Sequence, residues 1–275
     1  MGLLLVPTQE CTPDDANSWL TAYDASTGAV VWSLLQGNRM SSPITFNGIA
    51  VVQADPPGEI QPNRLVAVNV HTGAVLWHRS LPGQAGALAS DSTRLFVSTG
   101  SALTAVNPST GATEWSRSAP GQHVLVSNGS VVTAGVLGGS RVVTSYSPTG
   151  AHRWSATTAG TGAFSLSATT SELLVAGANG TVQARNLGTG ATTWSATLPG
   201  GVLTQPAIAG GVVYATVARP HTSAVYALRD GSGAVLWHFT EPGSTDGAGV
   251  TAAPSVAAGT LFASLGSGTV RAFHP

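Results

Sequence analysis

With 275 residues and a formal net charge of −1, the chain lacks the basic footprint of a nucleic-acid binder, and that class is excluded. Charged residues make up only 8% of it and none of the eleven basic residues is lysine, so lysine-based catalysis is excluded as well. No apolar run approaches the roughly 18 residues of a spanning helix, and Met1 to Pro7 has neither the basic start nor the length of a signal peptide.

Taken in chain order, the elements repeat. Leu3-Leu-Leu-Val6 reads as a strand, followed by the alternating run LTAYDASTG from Leu20 and a short segment ending at Trp32. The same sequence of events returns as LVAVNVHTG from Leu65 with TGAVLW ending at Trp77, LTAVNPSTG from Leu103 with TGATEW at Trp115, and VTSYSPTG from Val143 with TGAHRW at Trp154. It returns again as VQARNLGTG from Val182 with TGATTW at Trp194, and VYALRDGSG from Val225 with SGAVLW at Trp237. A seventh copy, Val270 to Pro275, stops before its turn. The glycines at this turn are Gly28, Gly73, Gly111, Gly150, Gly190 and Gly233.

Before each alternating run lies another apolar one, Ile49 to Ala54, Leu95 to Thr99, Val131 to Val136, Leu173 to Ala178, Val212 to Val217 and Leu261 to Leu265. Before those come weaker strands of small residues, such as Ser41 to Phe46 and Val250 to Pro254. Successive tryptophans are 45, 38, 39, 40 and 43 residues apart, the size of a four-stranded propeller blade. Strands A (inner) to D (outer) are assigned, with D carrying the Trp. Pro43, Pro206 and Pro254 suit an inner edge strand. Each Trp is expected to wedge between neighbouring blades, with its indole N–H finding a partner there.

The expected fold is an all-β, seven-bladed propeller of four-stranded antiparallel blades in a single domain, residues 1–275. The blades fall at about 1–35, 36–80, 81–118, 119–157, 158–197, 198–240 and 241–275. The first lacks its inner strand and the last its outer one. The chain is therefore expected to be a trimmed form of a longer protein whose N-terminal segment completes the last blade, with eight blades as the alternative for that longer form.

The repeat Ala-x-[Asp/Asn]-x-x-Thr-Gly-x-x-x-Trp resembles the pyrroloquinoline-quinone-like β-propeller repeat over essentially the whole chain. The resemblance implies a blade-docking Trp, and it spans quinone-dependent dehydrogenases, the outer-membrane β-barrel assembly lipoprotein, and sensor or interaction propellers on bacterial surface proteins, including some kinases. It implies an extracytoplasmic location, periplasmic or at the cell surface, with no membrane insertion by this domain and with a membrane anchor or kinase domain admitted outside this chain.

A quinone enzyme needs carboxylates for calcium and for a base. The inner stretches Ser41 to Gly48, Ala85 to Ser90, Gly121 to Ser127, Gly162 to Ala168, Val202 to Ile208 and Val250 to Ala257 hold no Asp or Glu, and only His123 among histidines. The seven histidines lack zinc spacing, there is no Gly-x-Ser-x-Gly elbow, and the lone Cys11 reads as an incidental loop residue. Asn128-Gly-Ser130 and Asn179-Gly-Thr181 match glycosylation sequons and read as turns. No catalytic residue, cofactor or metal is expected.

Long loops are expected at Thr8 to Ser18, Asp55 to Asn63, Ala218 to Ser223 and Glu241 to Gly249. They carry Glu10, Asp14, Asp15, Asp55, Glu59, Glu241 and Asp246, with Arg39, Arg219 and His221 at their margins. Loops on a rigid scaffold are where binding residues concentrate. The expected function is a non-enzymatic binding, scaffold or sensor module that recognises a protein or small ligand, cation-bearing or basic, through this face. The alternatives are a quinone-dependent dehydrogenase or an outer-membrane protein assembly scaffold.

Overall fold

A computed structural model describes residues 2–11, 16–37, 40–54, 64–81, 85–158, 162–201, 204–219, 221–242, 252–265 and 269–274. These residues are all-β, with no helix among them. The strands form seven antiparallel sheets, five of four strands and two of three. The first sheet is β1 (Leu3–Cys11), β2 (Ala16–Asp24) and β3 (Val30–Gly37); the second is β4 (Ile44–Phe46), β5 (Ile49–Ala54), β6 (Arg64–Asn69) and β7 (Val75–Ser80). The third holds β8 (Ala85–Ser90), β9 (Leu95–Thr99), β10 (Ala102–Val106) and β11 (Thr113–Ser118). The fourth holds β12 (His123–Ser127), β13 (Ser130–Leu137), β14 (Ser140–Tyr146) and β15 (His152–Thr158). The fifth is β16 (Phe164–Ala168), β17 (Glu172–Gly177), β18 (Thr181–Asn186) and β19 (Thr192–Thr197); the sixth is β20 (Ala207–Ala209), β21 (Val212–Arg219), β22 (Thr222–Arg229) and β23 (Val235–Pro242). The seventh has β24 (Ser255–Ala257), β25 (Thr260–Ser264) and β26 (Val270–Phe273). Neighbours in each sheet are consecutive in the chain, so every connection is a simple hairpin.

The chain makes two compact units: Met1–Val126 with Thr133–Gly135 and Pro148–Ala151, and the remainder from Ser127 to Pro275. In the first, Leu20, Val52 and Val66 pack with Trp32, and Val51, Leu65, Leu95 and Val97 pack with Trp77. In the second, Leu174, Val182, Trp194, Val213 and Leu228 form one core, and Val225, Leu261 and Leu265 with Phe273 another. Each core lies between successive sheets. The second and third strands are therefore covered on both faces, which is why β5 and β9 are buried along their length rather than at alternate residues. Each fully buried Leu or Val there contributes about 1.5–3 kcal/mol.

The inner strands differ in length, and proline sets the difference. Pro43, Pro206 and Pro254 stand immediately before β4, β20 and β24, all three residues long, whereas β8, β12 and β16 have no proline and run to five or six. Proline carries no N–H for the ladder, so the continuous strand begins one residue after it, with isolated pairing ahead of it where Met40 faces Ala54 and Gly201 faces Ala218. The turn glycines Gly129 and Gly180 have φ of 66° and 83°, and Asn128 has φ 42°, as Asn-Gly hairpin turns require.

Two expected long loops are shorter than the sequence suggests. β1 and β2 pair continuously from Leu3 opposite Asp24 to Cys11 opposite Ala16, so Thr8 to Cys11 and Ala16 to Ser18 belong to the ladder. β21 and β22 pair as far as Arg219 opposite Thr222, and His221, at φ 60°, makes the reversal. β23 runs through Pro242, two residues into the expected loop Glu241 to Gly249.

Candidate functional site

The Thr-Gly turn is built the same way in several sheets. Asn69 Oδ1 accepts from the amides of His71 (2.9 Å) and Thr72 (3.1 Å), Gly73 N donates to Asn69 O (2.9 Å), and Ala74 N donates to Thr72 Oγ1 (3.3 Å). Asn107 and Asn186 do the same for their turns, and Asp24 does so for the first, accepting from the amides of Ser26 and Thr27. These bonds, led by those from Ser26, hold the Asp24 carboxyl below its ordinary range. In the sixth sheet Arg229 occupies the Asn position, and the turn amides are met otherwise: Gly231 N donates to Asp230 Oδ1 (3.1 Å) and Ser232 N to Arg229 O (3.3 Å).

The glycine is required twice over. At φ of 69–83° it sits where L-residues rarely go, and a tryptophan from the preceding sheet lies across it. A Cβ on Gly73, Gly111, Gly150 or Gly190 would come within 2.6–2.8 Å of Trp32, Trp77, Trp115 or Trp154, and one on Gly233 would collide with Trp194. The indole N–H then donates to the turn: Trp32 Nε1 to Val70 O (2.8 Å), Trp77 to Pro108 O (2.9 Å), Trp115 to Pro148 O (2.9 Å) and Trp154 to Leu187 O (3.0 Å). Two residues further on, Arg79 and Arg117 donate to the carbonyls of Gly111 (3.0 Å) and Gly150 (2.8 Å). Trp194 is the exception: its buried Nε1 makes no hydrogen bond to the turn backbone, and the Glu172 carboxyl lies beside it instead.

A bulge aims each tryptophan. The outer strand slips by one residue immediately beside the Trp, which faces Ala22, Ala67, Ala105, Ser145, Ala184 or Ala227 across the ladder. Those six small residues are all fully buried. Because the bulge breaks alternation, the two residues before the Trp are both exposed in β7, β11, β15, β19 and β23.

The pattern stops at the seventh sheet, which ends at β26. Trp237 is 38% exposed, and among the described residues no turn glycine is covered by it and no carbonyl accepts from its Nε1. Conversely, Gly28 has nothing within 4 Å of where a Cβ would stand. Trp237 borders a groove of about 640 Å³ lined by Tyr214, His238, Phe239, Leu261 and Phe273. Its ring centroid is 5.5 Å from that of Phe273 and 6.3 Å from that of Tyr214. The groove is therefore an open aromatic slot along one edge of the sheet.

Of the ten residues expected to form a partner-binding face, only His221 and Glu241 have described side chains. Asp14, Asp15, Arg39, Asp55, Glu59 and Asp246 lie outside the described residues, as do the side chains of Glu10, Arg219 and Cys11. His221 is exposed on its hairpin tip. Glu241 turns inward instead: its side chain is 7% exposed and accepts from Arg271 Nε (2.9 Å) and Thr269 Oγ1 (3.0 Å). It occupies the position four after the Trp, where Leu81, Ala119 and Leu198 are buried elsewhere, so it holds two sheets together rather than facing a partner. The aromatic groove was legible only as the absence of a seventh Thr-Gly turn.

A Thr-Gly turn under a tryptophan, carried by one four-stranded sheet after another, defines a protein of pyrroloquinoline-quinone-like repeats. Residues 16–156 and 139–275 match the family described as outer membrane protein assembly factor BamB, and the chain belongs to that family. Among solved structures it is similar to BamB from Moraxella catarrhalis, at 18% identity and a TM-score of 0.64, with 94% of this chain and 81% of that one covered. It is also similar to the computationally designed protein Ika8, at 15% identity and a TM-score of 0.74, with 98% and 83% covered. At these identities the likeness is one of fold. A comparison with the curated proteins gives no match.

Proposed function

We propose that this protein is a non-enzymatic, protein-binding scaffold of the outer-membrane protein assembly kind, working outside the cytoplasm, with each of its seven sheets as one blade of a propeller. The observation that carries the reading is on the outer strands. At the exposed pair before the Trp, β3, β7 and β23 carry Val30-Val31, Val75-Leu76 and Val235-Leu236, 42–59% exposed, while β11, β15 and β19 carry Thr113-Glu114, His152-Arg153 and Thr192-Thr193. The same bulge thus presents apolar pairs in three sheets and polar pairs in three. Nothing in the fold requires the apolar ones, and exposed apolar clusters mark interaction surfaces.

The inner strands support a structural rather than a chemical role. Their neighbours' hydroxyls are engaged by backbone: Ser98 Oγ by Ala87, Thr133 Oγ1 by Pro120 and His123, and Ser165 Oγ by Thr204. The donor set of β4, β8, β12, β16, β20 and β24 holds no carboxylate, which does not fit a calcium-held quinone, and no chemical step is derived through one.

The test is binding of a labelled, unfolded outer-membrane β-barrel polypeptide to the purified chain. Binding is expected, and the fourfold variant Val75→Thr, Leu76→Glu, Val235→Thr, Leu236→Glu is expected to weaken it roughly tenfold or more with little change in thermal midpoint. No binding, or equal binding by the variant, overturns the reading. Dye reduction on adding pyrroloquinoline quinone with Ca²⁺ would overturn its non-enzymatic part.

A further inference from the structure

We infer that Asn47-Gly48, the hairpin tip between β4 and β5, is a site of spontaneous deamidation, at which the Asn47 carboxamide is exchanged for a carboxylate and part of the product carries an isoaspartyl backbone. The inference goes beyond the protein-binding reading and does not depend on it.

The chain contains three Asn-Gly steps, at Asn47, Asn128 and Asn179. Glycine leaves the following amide nitrogen open to the asparagine side chain, because it has no Cβ to obstruct the approach. By sequence the three steps are equivalent, and all three asparagines are exposed. Hydrogen bonding separates them. Asn128 Nδ2 donates to Thr170 O of the next sheet (2.7 Å), which holds the leaving nitrogen in place. Asn179 Oδ1 accepts from Thr181 Oγ1 (2.9 Å), and the Gly180 N–H, the nucleophile of that step, donates to Gly177 O (2.9 Å). Among the described residues, no hydrogen bond engages the Asn47 side chain or the Gly48 N–H.

The ladder behind Asn47 is also the shortest of the three. β4 pairs only Ile44, Thr45 and Phe46, opposite Val51, Ala50 and Ile49, since Pro43 ends continuous pairing. β12, leading to Asn128, runs five residues, and β17 and β18, on either side of Asn179, run six each. A short ladder opens locally at a lower free-energy cost than a long one. Opening frees Asn47 from its left-handed conformation, at φ 35°, and lets its Cγ reach the Gly48 nitrogen.

The chemistry is a ring closure followed by hydrolysis. The Gly48 nitrogen loses its proton to base and bonds to Asn47 Cγ; the bond from Cγ to Nδ2 breaks, and ammonia leaves. Water then opens the cyclic imide, one molecule for each ammonia released. Opening at one carbonyl gives aspartate; opening at the other gives isoaspartate, with the main chain routed through the side chain. Either product adds one negative charge to a chain whose formal net charge is −1. Asn47 borders a groove of about 270 Å³ with Phe46, Ile49, Thr93 and Pro108, so the new carboxylate stands at the seam between the second and third sheets.

The experiment incubates the folded 275-residue chain in mildly alkaline buffer and follows each Asn-Gly step by peptide mapping in acid with mass spectrometry. The same chain in urea is the reference, where the three steps are expected to convert at similar rates. In the folded chain Asn47 is expected to convert at least about tenfold faster than Asn128 and Asn179, the factor that one hydrogen bond broken beforehand supplies. Two products of equal mass are expected at Asn47, one of them co-eluting with the corresponding peptide of an Asn47→Asp protein. Equal folded rates at the three steps, or conversion of Asn47 in urea alone, overturns the site. A ranking in urea that matches the folded one would place the preference in the local sequence and overturn the inference as well.

Discussion

The Trp32 indole lies flat against Gly73, 2.7 Å from where a Cβ would stand, and donates its Nε1 hydrogen to Val70 O three residues before that glycine. Contact and hydrogen bond fix the same turn from two directions. The Gly28 turn shares the left-handed backbone, at φ 72° for both glycines, but has nothing above it. The pair separates backbone strain from packing within one protein. Gly28→Ala is expected to cost only the left-handed penalty, about 1–2 kcal/mol. Gly73→Ala adds overpacking of about 1–3 kcal/mol. Urea melts of the two variants check this, and equal losses would show that the indole gives way freely.

Trp154 and Trp237 occupy the same repeat position with different surroundings. Trp154 is 8% exposed and hydrogen-bonded to Leu187 O; Trp237 is open on one side. Trp154→Ala is expected to cost about 3–5 kcal/mol, the range for a buried aromatic, and Trp237→Ala clearly less, because part of its surface is already in water. Thermal melts decide it. A Trp237→Ala loss as large as that of Trp154→Ala would mean that its contact with Phe273 of the seventh sheet counts for as much as the full enclosure of Trp154.

The repeat made most of the fold legible. Six Thr-Gly turns at regular spacing give the outer strands, and the apolar runs upstream give the middle ones, since buried-on-both-faces strands are readable as unbroken hydrophobicity. The inner strands are the least legible: Ser41 to Phe46 is expected as one strand, whereas the continuous ladder covers only Ile44–Phe46 with an isolated bridge at Met40, because small residues carry little pattern and Pro43 interrupts the pairing. Of the expected acidic face, only Glu241 has a described carboxyl, and it is turned inward. Composition locates Glu241 near a loop, but only coordinates reveal Arg271 beside it, a long-range pairing with no local signal. The bulge before each Trp was equally silent, since one extra residue in the outer strand leaves no mark until its partner strand is known.

Stability should depend on pH through two carboxyls of opposite sign. Burial pushes the Glu172 carboxyl up from its ordinary value, and the Asp230 carboxyl adds to this, while Thr193, donating to Oε1 at 2.9 Å, and the Trp194 indole pull it down. The net shift is upward, so the folded state binds the proton more tightly than the unfolded chain. Glu172 therefore favours folding most below its unfolded pKa, and that advantage is lost as pH rises through its folded value. Asp24 works the other way: its depressed pKa gives stability present above the unfolded value of 3.8 and lost as pH falls through the folded one. Glu172→Gln keeps an acceptor for Thr193 and removes the charge from beside Asp230. It is expected to raise the thermal midpoint at pH 7 and to leave it nearly unchanged at pH 4. Asp24→Asn, which copies Asn69 and Asn107, should be nearly neutral at pH 7 and should flatten the loss toward pH 3. Midpoints measured across pH 3–8 test both, and a Glu172→Gln protein less stable than the parent at pH 7 would show that the carboxylate is held charged by a partner stronger than Thr193.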